Sequence, residues 1–192
     1  RWLRDGQVSV VVRPPEAATE PRVATALRLL AEGGLADARG GALRLVCAVG
    51  SPTGGLPEAA REAAARIAAL DHREQAYAIV PDAATADAMR EVTLVGGSPL
   101  GLLYAARTLL QMVRRRDGEI AVPCATVLDW PAIGERGQWG GNTHDEVAWN
   151  AQWKLNVIEE SVGLAVDAGG RTTLALEQSH VSRSHALGVS IV

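Results

Sequence analysis

The sequence predicts an α+β fold. Residues 1–129 form an antiparallel or mixed sheet with helices on one face, and residues 130–192 form the first strand–helix units of a parallel array. Three observations predict it. Apolar, β-branched runs alternate with helix-period stretches along the first 129 residues, the pattern of a sheet-and-helix layer pair. Two strand-like runs, 75–80 and 91–95, follow one another with no helix between them, which a purely parallel sheet does not allow. After Trp130-Pro131 the composition changes: four of the five tryptophans fall within 24 residues, and a strand–helix–strand alternation begins.

The elements follow in order. QVSVVV (residues 7–12) is a β-branched strand stopped by Arg13-Pro14-Pro15. Pro21 opens a helix carrying Val23, Leu27 and Leu30 at helical spacing and ending at Gly33-Gly34. ALRLVCAVG (42–50) is a second strand, and LPEAAREAAARIAAL is an alanine-rich helix ending near Leu70. The two adjacent strands come next. Gly96-Gly97-Ser98-Pro99 then starts a helix with Leu102, Leu103, Ala106, Leu109, Leu110 and Val113 on one face, and Arg114–Arg116 are expected in its last turn, where cations suit the helix dipole. A turn at Asp117-Gly118 leads into EIAVPCATVLDW, one strand carrying a proline. In the second segment RGQWGG is a short strand. THDEVAWNAQWKL is a helix with Thr143 as N-cap and Glu146 three residues later, and NVIEE and ALGVSIV (186–192) are strand-like. That segment has 63 residues, whereas a (β/α)8 barrel needs ~250, so a barrel starting here is present only in its opening part.

Composition narrows the function. With 192 residues, 47% of them hydrophobic, the chain can build one domain or two small ones around real cores. A net charge of −3 argues against a nucleic-acid partner, which calls for a basic face. No apolar run approaches the ~20 residues of a membrane helix. The chain opens on Arg1 rather than Met, so localisation is not legible from its start. Cys47 and Cys124 both sit in apolar runs and read as buried free thiols, with a single disulfide as the alternative. One lysine against eighteen arginines, with much alanine and no phenylalanine, reflects GC-rich coding and carries no functional message.

Most motifs dissolve on inspection. Gly50-Ser51-Pro52-Thr53-Gly54-Gly55 has half the spacing of a phosphate loop, but Leu56-Pro57 stand where lysine and a hydroxyl residue are required. A glycine turn is the better reading. The loop Gly96–Gly101 also lacks a second half, and its small residues suit close approach of helix and sheet. His72, His144, His180 and His185 have no metal-site spacing, so neither a metal nor a cofactor is expected. No G-x-S-x-G elbow occurs. Asp145-Glu146 and Glu159-Glu160 are neighbours whose side chains diverge, and solvated charge is their plain reading. Glu159 or Glu160, at the carboxyl end of a barrel strand, is the least plain of them. Arg136 and Trp139 flank the first strand of the second segment. Indole faces stack on sugars and a guanidinium donates a fixed fork of hydrogen bonds, so the pair is the candidate carbohydrate contact. Mutual packing of Trp139, Trp149 and Trp153 is the structural alternative.

Three stretches in order resemble the family 20 β-N-acetylhexosaminidases and relatives sharing their N-terminal domain. The first is Val95-Gly96-Gly97-Ser98-Pro99-Leu100-Gly101 with its helix ending Thr108-Leu109-Leu110-Gln111. The second runs from Ile120-Ala121-Val122-Pro123-Cys124 through Asp129-Trp130-Pro131 to Arg136-Gly137. The third is Trp153-Lys154-Leu155-Asn156. The resemblance implies a non-catalytic accessory domain over 1–129 and the start of a catalytic (β/α)8 barrel over 130–192. It implies a full-length bacterial-type enzyme that cleaves terminal N-acetylhexosamine residues, with a secreted or periplasmic setting favoured over a cytoplasmic one. In the family an Asp-Glu pair after the fourth strand works with the substrate's own acetamido group; no residue of this chain matches it, so no catalytic residue is assigned here and the fragment alone is expected to be inactive. Arg136 matches the family's sugar-binding arginine. Where the family continues with an aspartate and an Arg-His pair, this chain has Gly140, Gly141, Asn142 and His144; after K-L-N it has Val157-Ile158-Glu159-Glu160-Ser161 in place of the family's His and Asp residues. These departures leave two competitors: a different glycoside hydrolase on the same frame, or a non-catalytic carbohydrate-binding or domain-docking module. The expected partners are an N-acetylhexosamine-containing glycan and the remainder of the barrel.

Overall fold

The computed structural model describes residues 2–4, 8–35, 42–50, 55–82, 90–138, 143–159, 164–174 and 178–192. They form two compact units, Arg1–Gly134 and Glu135–Val192.

The first unit contains β1 (Trp2–Arg4), β2 (Val8–Arg13), α1 (Pro21–Glu32), β3 (Leu43–Val49), α2 (Glu58–Ala68), β4 (Tyr77–Pro81), β5 (Arg90–Gly96), α3 (Pro99–Met112), β6 (Arg114–Arg116), β7 (Glu119–Ala121) and β8 (Val127–Asp129). Its main sheet has the order β2-β3-β5-β4-β8. β2, β3 and β5 run parallel, while β4 is antiparallel to both β5 and β8, so the sheet is mixed. The adjacent strands expected without a helix between them are β4 and β5. Proline at the first helical position and a side-chain cap start two helices: the Glu20 carboxylate accepts from the backbone of Arg22 and Val23 before α1, and Ser98 Oγ accepts from Leu100 N before α3.

The helices do not share one face, as the sequence suggests. α1 and α3 pack with Leu43, Leu45, Cys47, Ile79 and Leu94 on one side; α2 packs with Val46, Ala48, Ala78, Val80 and Val95 on the other. The reason is in β3 itself: LRLVCAV buries side chains of both parities, so both faces need cover. Burial pushes the Cys47 thiol up to about 12, leaving it a protonated core group. Cys124 is exposed, contrary to expectation, and both thiols are free.

Two further expectations are corrected at the end of this unit. Arg114–Arg116 are not the last turn of α3 but strand β6, because Val113 adopts an extended conformation (φ −60°, ψ 136°) that stops the helix. The dipole logic survives: Arg114 Nη1 still donates to the Gln111 carbonyl at 3.1 Å. The single strand expected over 119–130 is two. β7 joins β6 and β1 in a small antiparallel sheet and β8 joins the main one, with the irregular segment between them carrying Pro123, which cannot donate to a ladder. β8 is locked by a buried triangle in which Tyr77 Oη donates to Asp129 Oδ2 at 2.6 Å and lies 2.7 Å from Thr108 Oγ1. Burial and the Asp129 carboxylate push the Tyr77 phenol upward.

The second unit contains β9 (Gly137–Gln138), α4 (His144–Gln152), β10 (Val157–Ile158), β11 (Leu164–Val166), β12 (Thr172–Leu174), α5 (Gln178–Ala186) and β13 (Ser190–Ile191). β9, β10 and β13 lie parallel in chain order. The strand expected over 186–192 shrinks to β13, since Ala186 ends α5. The predicted capping box closes: Thr143 Oγ1 accepts from Glu146 N, and Thr143 N donates to the Glu146 carboxylate at 2.9 Å. β11 and β12 form a hairpin whose turn is held by Asp167 Oδ1, which accepts from Gly169 N and Arg171 N at 2.9 Å each. The core is small, built on Val147, Ala151, Ile158 and Val189.

Candidate functional site

The residues singled out from sequence meet the structure where β9 and β10 begin. Lys154 takes a left-handed conformation (φ +61°) just past α4, and the chain turns there into β10. Asn156, 8% exposed, then reaches across to β9: its Oδ1 accepts from Arg136 N at 2.7 Å, and its own backbone N donates to the Arg136 carbonyl at 2.7 Å. Arg136 closes the loop by donating from Nη2 to the Lys154 carbonyl at 2.9 Å. Lys-Leu-Asn is therefore the clamp that sets β10 beside β9, with Arg136 as its counterpart.

Arg136 is half-buried, at the amino end of β9, with its guanidinium on the turn between α4 and β10. Trp139, which follows β9 directly, lies outside the described residues, as do Gly140–Asn142 and Glu160. Glu159 is exposed just past β10, at the carboxyl end of the parallel strands. Asp145 and Glu146 stand exposed in the first turn of α4. The Thr143 hydroxyl and backbone N–H, both donating to the Glu146 carboxylate, hold its pKa below the ordinary value. Among the described residues no group of three metal-ligating side chains comes together.

Two features escaped sequence reasoning. Asn150 is fully buried on α4, between Val147 and Ala151 on the inward stripe, and neither its Nδ2 nor its Oδ1 has a hydrogen-bond partner. Its position three residues after Val147 was the available signal. Trp149 and Trp153, four residues apart, form a tilted pair with ring centroids 6.2 Å apart, yet they remain 51% and 58% exposed. Mutual packing of these two is therefore real but covers only half of each ring.

The glycine loops are structural. A Cβ at Gly97 would collide with the Arg73 carbonyl, one at Gly101 with the Ala76 carbonyl, and one at Gly96 with the backbone of Leu102. These glycines let residues 71–76 and α3 lie directly on the end of β5, the close approach anticipated for this loop.

A mixed sheet with helices on both sides, followed by parallel βα units, defines a modular enzyme frame rather than a cofactor or metal site. The solved chains that share it are glycoside hydrolases. An exo-β-N-acetylglucosaminidase from Vibrio harveyi, solved with N-acetylglucosamine, matches all of this chain and 33% of its own, with a TM-score of 0.61 and 16% identity. A chitobiase from Flavobacterium johnsoniae matches all of this chain and 32% of its own, with a TM-score of 0.55 and 19% identity. A GH138 enzyme targeting pectin rhamnogalacturonan II matches 95% of this chain and 24% of its own, with a TM-score of 0.60 and 12% identity. The chain thus spans a third or less of the length of these structures, and the likeness is one of fold. Residues 6–130 match the model of glycosyl hydrolase family 20, domain 2, and the chain belongs to that family. No curated protein sequence matches it.

Proposed function

We propose that the chain is the N-terminal part of a glycoside hydrolase that cleaves terminal N-acetylhexosamine residues. In this reading residues 1–129 are its accessory domain and residues 130–192 open its (β/α)8 barrel. The observation that supports this most is the order of β9, β10 and β13. Consecutive parallel strands separated by helices, directly after a family 20 domain, are the way such a barrel begins. Hydrolysis would be substrate-assisted, with the acid and the orienting carboxylate supplied by later strands, so the 192 residues alone are inert. Arg136 and Trp139 are its sugar contacts in this chain: the Lys154 and Asn156 clamp holds Arg136, and an indole supplies a stacking face.

The test has two arms. The purified 192-residue chain should release no product from an aryl N-acetyl-β-glucosaminide; turnover above the blank would overturn the division of labour. The enzyme extended through its complete barrel should cleave that substrate, and Arg136→Lys should raise KM while leaving the folded fraction unchanged. An extended enzyme inert on N-acetylhexosaminides but active on another glycoside would favour the second reading, a different glycoside hydrolase on the same frame. That reading draws support from the rhamnogalacturonan-targeting enzyme, whose TM-score is nearly that of the Vibrio harveyi enzyme.

A further inference from the structure

The main sheet contains an opening that the hydrolase reading does not use. β2 leads into α1 on one face, whereas its neighbour β3 leads into α2 on the other. Adjacent parallel strands whose outgoing chains part in this way leave a crevice beyond their carboxyl ends, where open α/β sheets bind ligands. β3 has such a crevice on each side, because β5 leads into α3 on the α1 face. On the β5 side it is filled: Gly97 lies under the Arg73 carbonyl, and Gln75 Nε2 fixes that loop by donating to the Gly134 carbonyl at 2.7 Å. On the β2 side the described side chain that enters is Arg13.

Arg13 is the last residue of β2 and pairs with Ala48, which is buried under α2. Val8, Val10 and Val12 point to the opposite face, so strand alternation sends Arg13 toward α2. Its guanidinium lies against the loop that starts this helix: a Cβ built on Gly55 would stand 2.9 Å from Arg13 Nη1. Arg13 Nε is buried and has no hydrogen-bond partner. The helix itself is open at that end, since Pro57 at the N-cap offers no side chain to the first-turn amides. A buried guanidinium donor without an acceptor calls for one, and the positive end of the α2 dipole favours the same sign of ligand. Glu58 is the acidic side chain in that first turn, and it is exposed.

We propose that Arg13 and the amino end of α2 form an oxyanion site that takes a carboxylate, sulfate or phosphate group carried by a small ligand. The planar guanidinium fork suits all three, and the uncapped amides add donors from the second side. The test is a titration of the isotope-labelled 192-residue chain with sodium glucuronate, sodium sulfate and sodium phosphate at constant ionic strength, followed by amide and arginine side-chain NMR. At least one anion should give saturable shifts at Arg13 Nε–Hε and the Gly55 amide. Saturation by glucuronate alone assigns a carboxylate; saturation by sulfate or phosphate assigns a tetrahedral group. Arg13→Gln should weaken binding at least ~10-fold, the scale of one charge-assisted hydrogen bond. Should that variant lose its native spectrum, Glu58→Gln provides an independent reading and should tighten binding about two- to five-fold by removing an opposing charge from the first turn. Linear, non-saturating shifts with all three anions, or unchanged affinity in a folded Arg13→Gln chain, would overturn the proposal.

Discussion

The two units use the same alternation of strand and helix to very different depth. In the first, β3 and β5 run seven residues each, and the described residues bury clusters of twenty-one and ten apolar side chains on the two faces of one sheet. In the second, the parallel strands are two residues long, the buried cluster has four members, and α4 turns a pair of half-covered tryptophans outward while burying an unpaired amide. Local pattern is adequate in both: the capping box on α4 is as complete as any helix start in the first unit. What differs is cover. Propensity and capping choose an element, but most helical and strand stability comes from burying a face, and a sheet of short strands offers little face to bury.

The widest gap should appear when each core is cut. Leu94 is fully buried at the centre of the main sheet, and Leu94→Ala should cost ~2–5 kcal/mol by transfer and cavity terms together. Ile158→Ala, equally inaccessible but set in the four-member cluster, should cost the chain's main unfolding transition far less, because the second unit opens below the global free energy. Native-state hydrogen exchange checks this: amides of β3 and β5 should exchange by global unfolding and those of β10 by a smaller opening. Equal protection in the two would abolish the contrast.

The same contrast explains how far the sequence could be read. In the first unit the long runs made every strand and helix of the main sheet legible, because burial on both faces of LRLVCAV leaves a continuous apolar signature. What escaped was the arrangement. Burial of both parities was visible in that run, yet the assignment of α2 to the opposite face needs the partner strands Ala78, Val80 and Val95, which sequence order does not bring together. Segments of three residues were lost for a different reason. β1 and β6 have no period to detect, and their pairing with β7 depends on contacts more than a hundred residues apart in the case of Trp2 and Ala121. The hairpin β11–β12 was missed although Asp167-Ala168-Gly169-Gly170 is a turn signal between two alternating runs. α5 was missed because QSHVSRSHA combines weak helix formers. At the candidate site, residue types were legible and roles were not. Lys154, Leu155 and Asn156 drew notice as a family signature, whereas the Asn156 clamp on Arg136 needs two backbone groups that only the fold places together.

A smaller effect, of opposite sign, should come from Asn150. Both of its amide atoms are buried without partners, a state that costs ~1–3 kcal/mol relative to a satisfied group, while Leu has nearly the same volume and suits the stripe of Val147 and Ala151. Asn150→Leu should therefore stabilise the second unit, raising protection of the α4 and β10 amides and leaving those of β3 and β5 unchanged. A loss of protection in α4 would show that the amide has a polar partner in solution, such as an ordered water, and would narrow the difference between the units.

The smallest expected effect tests whether local capping holds α4 where the core is thin. Glu146 is exposed, and its carboxyl pKa is lowered by the Thr143 hydroxyl and backbone N–H that donate to it. A carboxyl with a depressed folded-state pKa contributes stability above its unfolded value, and that contribution is lost as pH falls through the folded value. The window therefore lies on the acid side of the ordinary glutamate range. Solvent screening keeps the effect slight and confined to the helix. Carbon-13 titration of the Glu146 carboxyl should show the lowered midpoint, and exchange of the first-turn α4 amides should quicken over the same interval. Glu146→Gln retains an acceptor for the Thr143 backbone N–H without the charge, so the variant should keep the helix and lose its acid dependence. If the exchange of α4 follows pH identically in both proteins, titration elsewhere in the second unit governs the helix, and its stability is owed to packing after all.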